Sequence, residues 1–343
     1  MGRTSRTGRT GRVGRMGRRE MVYLGMQRVS EICTRLLPVW VVAAGVGGYV
    51  YPPLLRWLDG RIEWLFAATM VGIGAVLKPG DFLPVVRTPH WVVLGTLAQF
   101  TIMPVLGYGV ARVMDMPREL ALGFILVGSV PGAMASNVIS YLARADVAYS
   151  IALTTCSTLL APVVTPGLVY VFGKTLVEVR FWPMFFNIVR IVIVPLLVGV
   201  GLRYWCGRVI ERVAWVFPLV SAVAIALICG LVVALNKERL VGMSGDVIAG
   251  VVLHNGLGLL GGYCAGWAYG FDGKRRRTLA IEVGMQNAGL GAVLALKHFG
   301  AEAALPNAVF ASWCVVTAAV LVELWRARGM EEKEGESAKE ERG

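Results

Sequence analysis

The chain has 343 residues, of which 56% are apolar and only 16% are charged, whereas a typical soluble domain has about 25% charged residues. Its mean hydropathy is +0.64 and its formal net charge is +12. Apolar residues occur in runs of roughly the 20 that a helix needs to cross a bilayer. The composition therefore excludes a string of soluble domains and predicts one polytopic, all-α protein embedded in the lipid bilayer.

The N-terminal segment, residues 1–30, carries much of the positive charge. Its first twenty residues contain seven Arg and one Glu among repeated Gly and Thr. Such a segment cannot bury a core, and we expect it to be disordered. Three interpretations stay open: an anchor that fixes the orientation of the first span, an organellar transit peptide, or translated sequence upstream of a natural start at Met21 or Met26. Nucleic-acid binding is not expected of so apolar a chain.

Ten spans are predicted within residues 31–328, which we take as a single membrane domain. Their approximate positions are 36–55, 62–78, 90–113, 119–142, 146–172, 184–206, 214–235, 245–269, 276–299 and 302–325. Ten spans divide into two sets of five, and because five is odd the second set would insert upside down relative to the first, as an inverted repeat. Residues 329–343 are rich in Glu and Lys and are predicted to be a disordered charged tail.

Two short polar segments interrupt the fourth and ninth spans. The first runs from Pro131-Gly132 to Asn137, and the second runs from Glu282 to Asn287. A Pro-Gly pair cannot continue a helix without losing hydrogen bonds, and a carboxylate and amides are costly in hydrocarbon. Two interrupted helices in corresponding positions of two halves indicate the ion and substrate site of a secondary transporter, near the midplane of the membrane.

The distribution of Lys and Arg predicts the orientation. The side that holds both termini collects 24 of these residues and the other side nine, so we expect both termini to be cytoplasmic. Arg190 lies inside the sixth span, near one end, and we expect it to reach the interface, with an intramembrane partner as the alternative. The predicted location is a bacterial plasma membrane, and an organellar inner membrane is the alternative.

Glu282 is the acid placed deepest in a predicted span, and its neighbours in the pattern are hard oxygen ligands. Ser150 and Thr154 are four residues apart and therefore share one face of the fifth span. Gln99, in the third span, is either a helix–helix hydrogen-bonding residue or a further ligand. A single hydroxyl usually bonds back to its own helix, but hydroxyls and amides around a buried Glu suit a hard cation such as Na⁺ and not Zn or Cu. The full candidate set is Gln99, Ser136, Asn137, Ser150, Thr154, Glu282, Gln286 and Asn287.

At these positions the sequence resembles a known family. Residues 128–166, GSVPGAMASNVISYLARADVAYSIALTTCSTLLAPVVTP, and residues 282–295, EVGMQNAGLGAVLA, are similar to the two signature regions of the bile acid:sodium symporter family. Leu77-Lys78-Pro79-Gly80-Asp81-Phe82 also resembles a motif that follows the second span in that family. The resemblance covers nearly the whole membrane domain.

The resemblance implies two sodium sites that share one carboxylate. The first would use Ser136, Asn137, Ser150, Thr154 and Glu282. The second would use Gln99, Glu282, Val283, Met285 and Gln286, with Val283 and Met285 giving backbone carbonyls.

The resemblance also implies two units, a panel of spans 1, 2, 6 and 7 and a core of spans 3–5 and 8–10. Substrate would bind between them at the broken spans, beside Met134, Ala135 and Asn287. The family's usual Gly-Gly-Thr is Gly132-Ala133-Met134 here, so the departure concerns the residues expected to meet substrate and leaves the sodium ligands in place.

The predicted function is sodium-coupled symport of an organic anion by alternating access. Two Na⁺ against one Glu282 carboxylate leave one positive charge in excess, which attracts a monoanion such as a small carboxylate or a bile-acid-like molecule. No cofactor is expected besides the coupling ion.

Two other classes stay open. Proton coupling would use Glu282 as the proton carrier when no sodium is bound, and a membrane sensor or channel would bind without transporting. An enzyme is not expected, because His90, His254 and His298 are far apart and no nucleophile–base pair stands out. His254, followed by Asn255 in the eighth span, is interpreted as a packing histidine.

Overall fold

The computed structural model describes residues 36–78, 80, 86–238 and 240–340, without the side chains of 241–244, 326 and 328–340. The described chain is helical, and the one β-type contact within it is an isolated bridge between Gly132 and Gln286. The predicted disordered segment 1–30 lies outside the described residues, as do Pro79, Asp81 and Phe82 of the third motif.

The helices follow one another with short connections. They are α1 (Leu37–Val50), α2 (Pro53–Arg56), α3 (Ile62–Val76), α4 (Pro89–Val113), α5 (Arg118–Ser129), α6 (Ala135–Leu142), α7 (Val147–Gly173), α8 (Phe181–Ile188), a π-helical segment (Val189–Ile193), α9 (Val194–Val213), α10 (Val216–Leu235), α11 (Leu240–Ala268), α12 (Gly273–Gly284), α13 (Ala288–His298) and α14 (Ala301–Glu340).

Six of the described helical stretches are long and apolar enough to cross a membrane, judged by length and composition. They are Pro89–Val113, Val147–Gly173, Phe181–Val213, Val216–Leu235, Gly245–Ala268 and Ala301–Trp325. Helices α1 and α3 are apolar but shorter. Helices α5 and α6, and likewise α12 and α13, follow each other across the two interruptions predicted from the sequence.

Local chemistry sets several of these boundaries. Helix α4 begins at Pro89, where the missing N–H of proline is harmless. Asp146 caps α7 by accepting a hydrogen bond from the Tyr149 amide, and Asp272 caps α12 by accepting one from the Arg275 amide. The Arg275 side chain also lies 3.4 Å from the Asp146 carboxylate. The two caps therefore fix the starts of α7 and α12 beside each other.

The helices pack in two groups. Helices α1, α3, α9 and α10 pack on one another, and α4–α7 pack with α11–α14. Small residues allow close approach within the first group: a Cβ on Gly74 would collide with the carbonyl of Leu196, and a Cβ on Gly199 with the carbonyl of Val71. Close backbone contact of this kind is how helices associate where no water drives them together.

The last helix, α14, extends to Glu340 and so includes residues 329–340 of the stretch for which the sequence predicts a disordered tail. The Glu, Lys and Ala residues of this stretch are strong helix formers.

The helical bundle has two end faces, and we name each after one residue that lies on it. The Leu77 face holds the start of α1, the end of α3 and the starts of α4, α10 and α12. The Glu63 face holds the start of α3, the end of α13 and the start of α14.

Candidate functional site

The two interruptions meet each other in the middle of the bundle, at a place that we call the crossing. The Ala133 amide donates to the Met285 carbonyl at 2.8 Å, and the Asn287 amide donates to the Pro131 carbonyl at 2.8 Å. Backbone groups freed by a helix break must find partners inside the protein, because lipid offers none. Each break therefore supplies hydrogen-bond partners for backbone groups that the other break leaves free. These paired backbone groups fix the crossing.

Side chains from neighbouring helices bind the carbonyls that remain. Thr165 Oγ1 donates to the Ser129 carbonyl at 2.7 Å, at the end of α5. Asn255 Nδ2 donates to the Gly284 carbonyl at 2.8 Å, at the end of α12, and Asn255 Oδ1 accepts from Thr317 Oγ1 at 2.6 Å. Sequence reasoning did not single out Thr165 or Thr317, and it named Asn255 only as the neighbour of His254. An amide in the middle of an apolar span was the available signal for Asn255.

His254 has the surroundings of a packing histidine. Its Nε2 lies 3.0 Å from the Met103 carbonyl, and its ring lies against Phe124 and Phe310.

The Glu282 carboxylate lies at the crossing and is 2% exposed. Its Oε1 accepts a hydrogen bond from Ser136 Oγ at 2.5 Å and another from Ser150 Oγ. Thr154 Oγ1 lies 3.1 Å from Oε1 and 3.0 Å from Oε2. Within the described part of the chain, every hydrogen-bond partner of this carboxylate is an uncharged hydroxyl.

Asn137 closes this first cluster. Its Oδ1 accepts from Ser150 Oγ at 2.9 Å and lies 3.3 Å from Thr154 Oγ1. Ser140, which sequence reasoning did not single out, has its hydroxyl 3.3 Å from that of Ser150. The structure therefore brings together all five residues of the first predicted sodium site, from α6, α7 and α12. Their hydroxyl, amide and carboxylate oxygens suit a hard cation.

The second cluster lies around Gln286. Gln99 Nε2 donates to Gln286 Oε1 at 2.9 Å, and Gln286 Nε2 donates to the Val283 carbonyl at 2.7 Å. Gln99 Oε1 is buried and has no donor among the described residues. Met285 is buried beside them, with its carbonyl bonded to the Ala133 amide. The side-chain bonds of Glu282 are all made in the first cluster.

A cavity of about 370 Å³ adjoins the crossing and is open between the two helix groups. Its wall is mostly apolar, with Phe66, Met70 and Ile73 from α3 and Phe217 and Ile225 from α10. The three residues expected to meet substrate, Met134, Ala135 and Asn287, all line it. No Lys, Arg, His, Asp or Glu lines it in the part of the chain that the structure describes.

The starts of two helices border this cavity. Helix α6 begins at Ala135, and α13 begins at Ala288, where Asn287 Oδ1 caps the helix by accepting from the Leu290 amide at 3.2 Å. The N-terminal end of a helix carries partial positive charge, which favours an anion.

A second buried carboxylate, Glu63, is the partner of Arg190. The Arg190 guanidinium forms an ion pair with Glu63, which is 8% exposed, although the Arg190 side chain remains 60% exposed on its outer side. Lys297 Nζ lies 3.2 Å from Glu63 Oε1, and Asn187 Nδ2 donates to the same oxygen at 3.1 Å. The partner of Arg190 lies 127 residues away in the sequence, so a local pattern could not reveal it.

Comparison with known proteins now assigns the chain. Residues 64–243 match the profile of the Sodium Bile acid symporter family. The chain belongs to the sodium bile acid symporter family.

It is 36% identical over 310 residues to the "uncharacterized sodium-dependent transporter YocS" of Bacillus subtilis, covering 90% of this chain and 97% of YocS. It is 32% identical over 302 residues to the "probable sodium/metabolite cotransporter BASS1, chloroplastic" of Oryza sativa, covering 88% of this chain and 74% of that protein. These relatives are named as sodium-dependent transporters and not as enzymes. The family resemblance found in the sequence is therefore confirmed.

The fold is also found outside the symporter family. The sodium proton antiporter MjNhaP1 from Methanocaldococcus jannaschii superposes with a TM-score of 0.54 at 11% sequence identity, over 91% of this chain and 98% of the antiporter. At that identity the likeness concerns the fold alone. The two proteins share an all-helical architecture over nearly their whole length.

Proposed function

We propose that this protein is a symporter that couples the uptake of an organic anion to Na⁺ by alternating access. The observation that carries the proposal is the Glu282 carboxylate, which is buried at the crossing and bonded only to hydroxyls in the described part of the chain. An isolated charge in a membrane needs a counter-ion or a proton. The cavity beside it gives the site a place for a second solute.

Two sodium ions would occupy the two clusters. The first would be held by Ser136, Asn137, Ser150, Thr154 and Glu282, whose hydroxyls can turn to present their oxygens. The second would be held by Gln99, Glu282, Gln286 and the carbonyls of Val283 and Met285. The Gln99 Oε1 atom supports the second site. It is buried without a donor among the described residues, which is rare in proteins, and a bound cation would give it a partner.

The cavity supports an amphipathic monoanion as substrate. Its apolar wall suits a hydrocarbon body, and the starts of α6 and α13 suit a carboxylate or sulphate. Both a small carboxylate and a bile-acid-like molecule satisfy this description, and the Oryza sativa relative named above is called a probable sodium/metabolite cotransporter. Met134 would contact the substrate body.

The transport movement would occur between the two helix groups, with the group of α1, α3, α9 and α10 as the panel and the group of α4–α7 and α11–α14 as the core. This assignment assumes that the chain crosses the membrane ten times, in two inverted repeats of five spans. Both termini and the basic residues at positions 274–277, at the start of α12, would then lie in the cytoplasm, so the Leu77 face would be cytoplasmic.

The test is flux into proteoliposomes under an imposed gradient. A panel of organic anions, from short carboxylates to bile acids, would first be screened for stabilisation of the purified protein with and without Na⁺. Uptake of the selected anion should require an inward Na⁺ gradient. Uptake that a pH gradient drives equally well without Na⁺ would favour the proton-coupled alternative, for which Glu282 is equally the carrier.

A further inference from the structure

The structure fixes the carbonyl of Gly284, which lies between two residues of the second cluster, with side chains that belong to neither cluster and do not line the cavity. Asn255 on α11 is fully buried, and its Nδ2 donates to the Gly284 carbonyl at 2.8 Å. Thr317 on α14 donates to Asn255 Oδ1 at 2.6 Å. Gly284 lies between Val283 and Met285, whose carbonyls are the proposed sodium ligands, so this inference rests on the proposed function.

The last carbonyls of α12 need separate partners, because a helix end leaves them without intrahelical donors. Met285 O is bonded to the Ala133 amide and Val283 O to the Gln286 side chain. The Gln286 amide belongs to a side chain that can turn away when an ion arrives. Asn255 instead binds the Gly284 carbonyl from α11. Successive peptide planes share a Cα, so fixing the Gly284 plane limits the directions of its two neighbours.

We propose that Asn255 and Thr317 are positioning residues for the second sodium site. Thr317 holds the Asn255 amide so that its nitrogen faces the Gly284 carbonyl, and Asn255 keeps that carbonyl from competing with Val283 for the ion. Thr165 offers a matched comparison, because it bonds the freed carbonyl of Ser129 at the other break, which is not a proposed ligand.

The test compares Thr317→Val, which keeps the shape and removes the hydroxyl, with Thr317→Ser, which keeps the hydroxyl, and with Thr165→Val. The Na⁺ concentration for half-maximal uptake should rise about three- to ten-fold in Thr317→Val, the effect of one hydrogen bond, with little change in maximal rate. Thr317→Ser should stay near the parent, and Thr165→Val should change thermal stability without moving the Na⁺ titration.

A folded Thr317→Val variant with an unchanged Na⁺ titration would overturn the inference, as would an equal shift in Thr165→Val. If Thr317→Val does not fold, Asn255→Leu supplies the second variant, since it keeps the size and removes the amide that binds the Gly284 carbonyl without adding a charge; the same outcomes apply. A parent protein whose uptake ignores Na⁺ would instead reject the proposed function, so the two failures are distinguishable.

A second inference rests on a different part of the molecule, the Glu63 cluster. Glu63, Asn187 and Arg190 belong to α3, α8 and the π-helical segment, whereas Lys297 belongs to α13. The 3.2 Å contact of Lys297 Nζ with Glu63 therefore joins the two helix groups.

This contact lies at the other end of the helices from the cavity. On α13 the cavity is lined by residues 287–289, and Lys297 is eight to ten residues further on, about 12–15 Å along the axis. On α3 the cavity extends as far as Leu77, while Glu63 is at the first turn. The cavity thus reaches the Leu77 face, and the ion pair lies at the Glu63 face.

We infer that the Glu63–Lys297 pair is a gate contact that must break when the cavity opens toward the Glu63 face. Arg190 and Asn187 stay with Glu63 when Lys297 leaves, so the carboxylate is not left unpaired. The contact would stabilise the conformation described here, and the change to the other conformation would remain reversible.

The test is labelling of a cysteine placed in the cavity, Ser221→Cys on α10, by a membrane-impermeant maleimide applied from either side of proteoliposomes. All six native cysteines would first be replaced by Ser or Ala, because Cys314 itself lines the cavity and Cys206 and Cys264 are exposed. Lys297→Met should increase labelling from the Glu63 face about two- to five-fold, as expected for the loss of a partly exposed pair, and Lys297→Arg should not. The control is Glu178→Gln, which removes the exposed Arg180–Glu178 pair.

A reconstituted Lys297→Met variant with the labelling ratio of the parent would overturn this inference, as would the same increase in Glu178→Gln. If Lys297→Met does not reconstitute, Lys297→Gln is measured in the same way against the same two outcomes.

Discussion

Two buried carboxylates in this protein have opposite surroundings. Glu63 is bonded to Arg190, Lys297 and Asn187, whereas Glu282 is bonded to three hydroxyls. Ammonium and guanidinium groups only donate hydrogen bonds, but a hydroxyl both donates and accepts. The shell of Glu282 can therefore turn its oxygens toward an incoming cation, and the shell of Glu63 cannot. The difference separates a carboxylate neutralised by its own chain from one whose charge is available to an ion.

The sharpest way to break this comparison is to remove one charge at a time. Glu282→Gln should reduce Na⁺-driven uptake to background, because the shared ligand of both proposed sites loses its charge while its size and one acceptor remain. Glu63→Gln should keep uptake dependent on Na⁺. Normal transport with unchanged Na⁺ dependence in Glu282→Gln would show that the shared-ligand account is wrong.

The ligand hydroxyls and amides sharpen the comparison within the crossing. Ser150→Ala and Gln99→Ala should each raise the Na⁺ concentration needed for half-maximal uptake by about three- to ten-fold, and each should lower the Hill coefficient if its site leaves the accessible range. The double variant should lose coupling far more than either single change. Two single variants with Na⁺ titrations superimposable on the parent would contradict the two-site assignment.

The Glu63 cluster should respond in stability and not in ion dependence. Glu63→Gln leaves Arg190 and Lys297 without their carboxylate, but both side chains are more than half exposed, so we expect a loss of only about 1 kcal/mol. Thermal unfolding in detergent measures this loss. Loss of the Na⁺ requirement in a folded Glu63→Gln variant would place Glu63 in the ion pathway instead.

The smallest expected effect is on substrate choice. Met134→Thr removes a thioether from the cavity wall and restores the hydroxyl typical of the family, so relative uptake of different anions should change while the Na⁺ requirement stays. The measurement is competition among a panel of anions. An unchanged profile would mean that Met134 does not contact the substrate.

The sequence predicted the parts of the site that depend on local pattern. Pro131-Gly132 lacks what a helix needs, and Ser150 and Thr154 share a face by their spacing, so the break and the hydroxyl pair could be recognised. Asn255 and Lys297 could not be assigned, because their partners, Gly284 and Glu63, come from other helices and from a distance set by packing. The family resemblance supplied the ligand sets that spacing alone left open.

The central claim is that the hydroxyl-bonded carboxylate binds sodium and the cation-bonded one does not. Thermal unfolding of the purified parent, Glu282→Gln and Glu63→Gln, titrated with Na⁺ and with K⁺ at constant ionic strength, tests it directly, because a ligand that binds the folded state raises its stability with concentration. We predict that Na⁺, and not K⁺, stabilises the parent and Glu63→Gln and leaves Glu282→Gln unchanged. Equal stabilisation of Glu282→Gln by Na⁺, or of the parent by both ions, would contradict the claim.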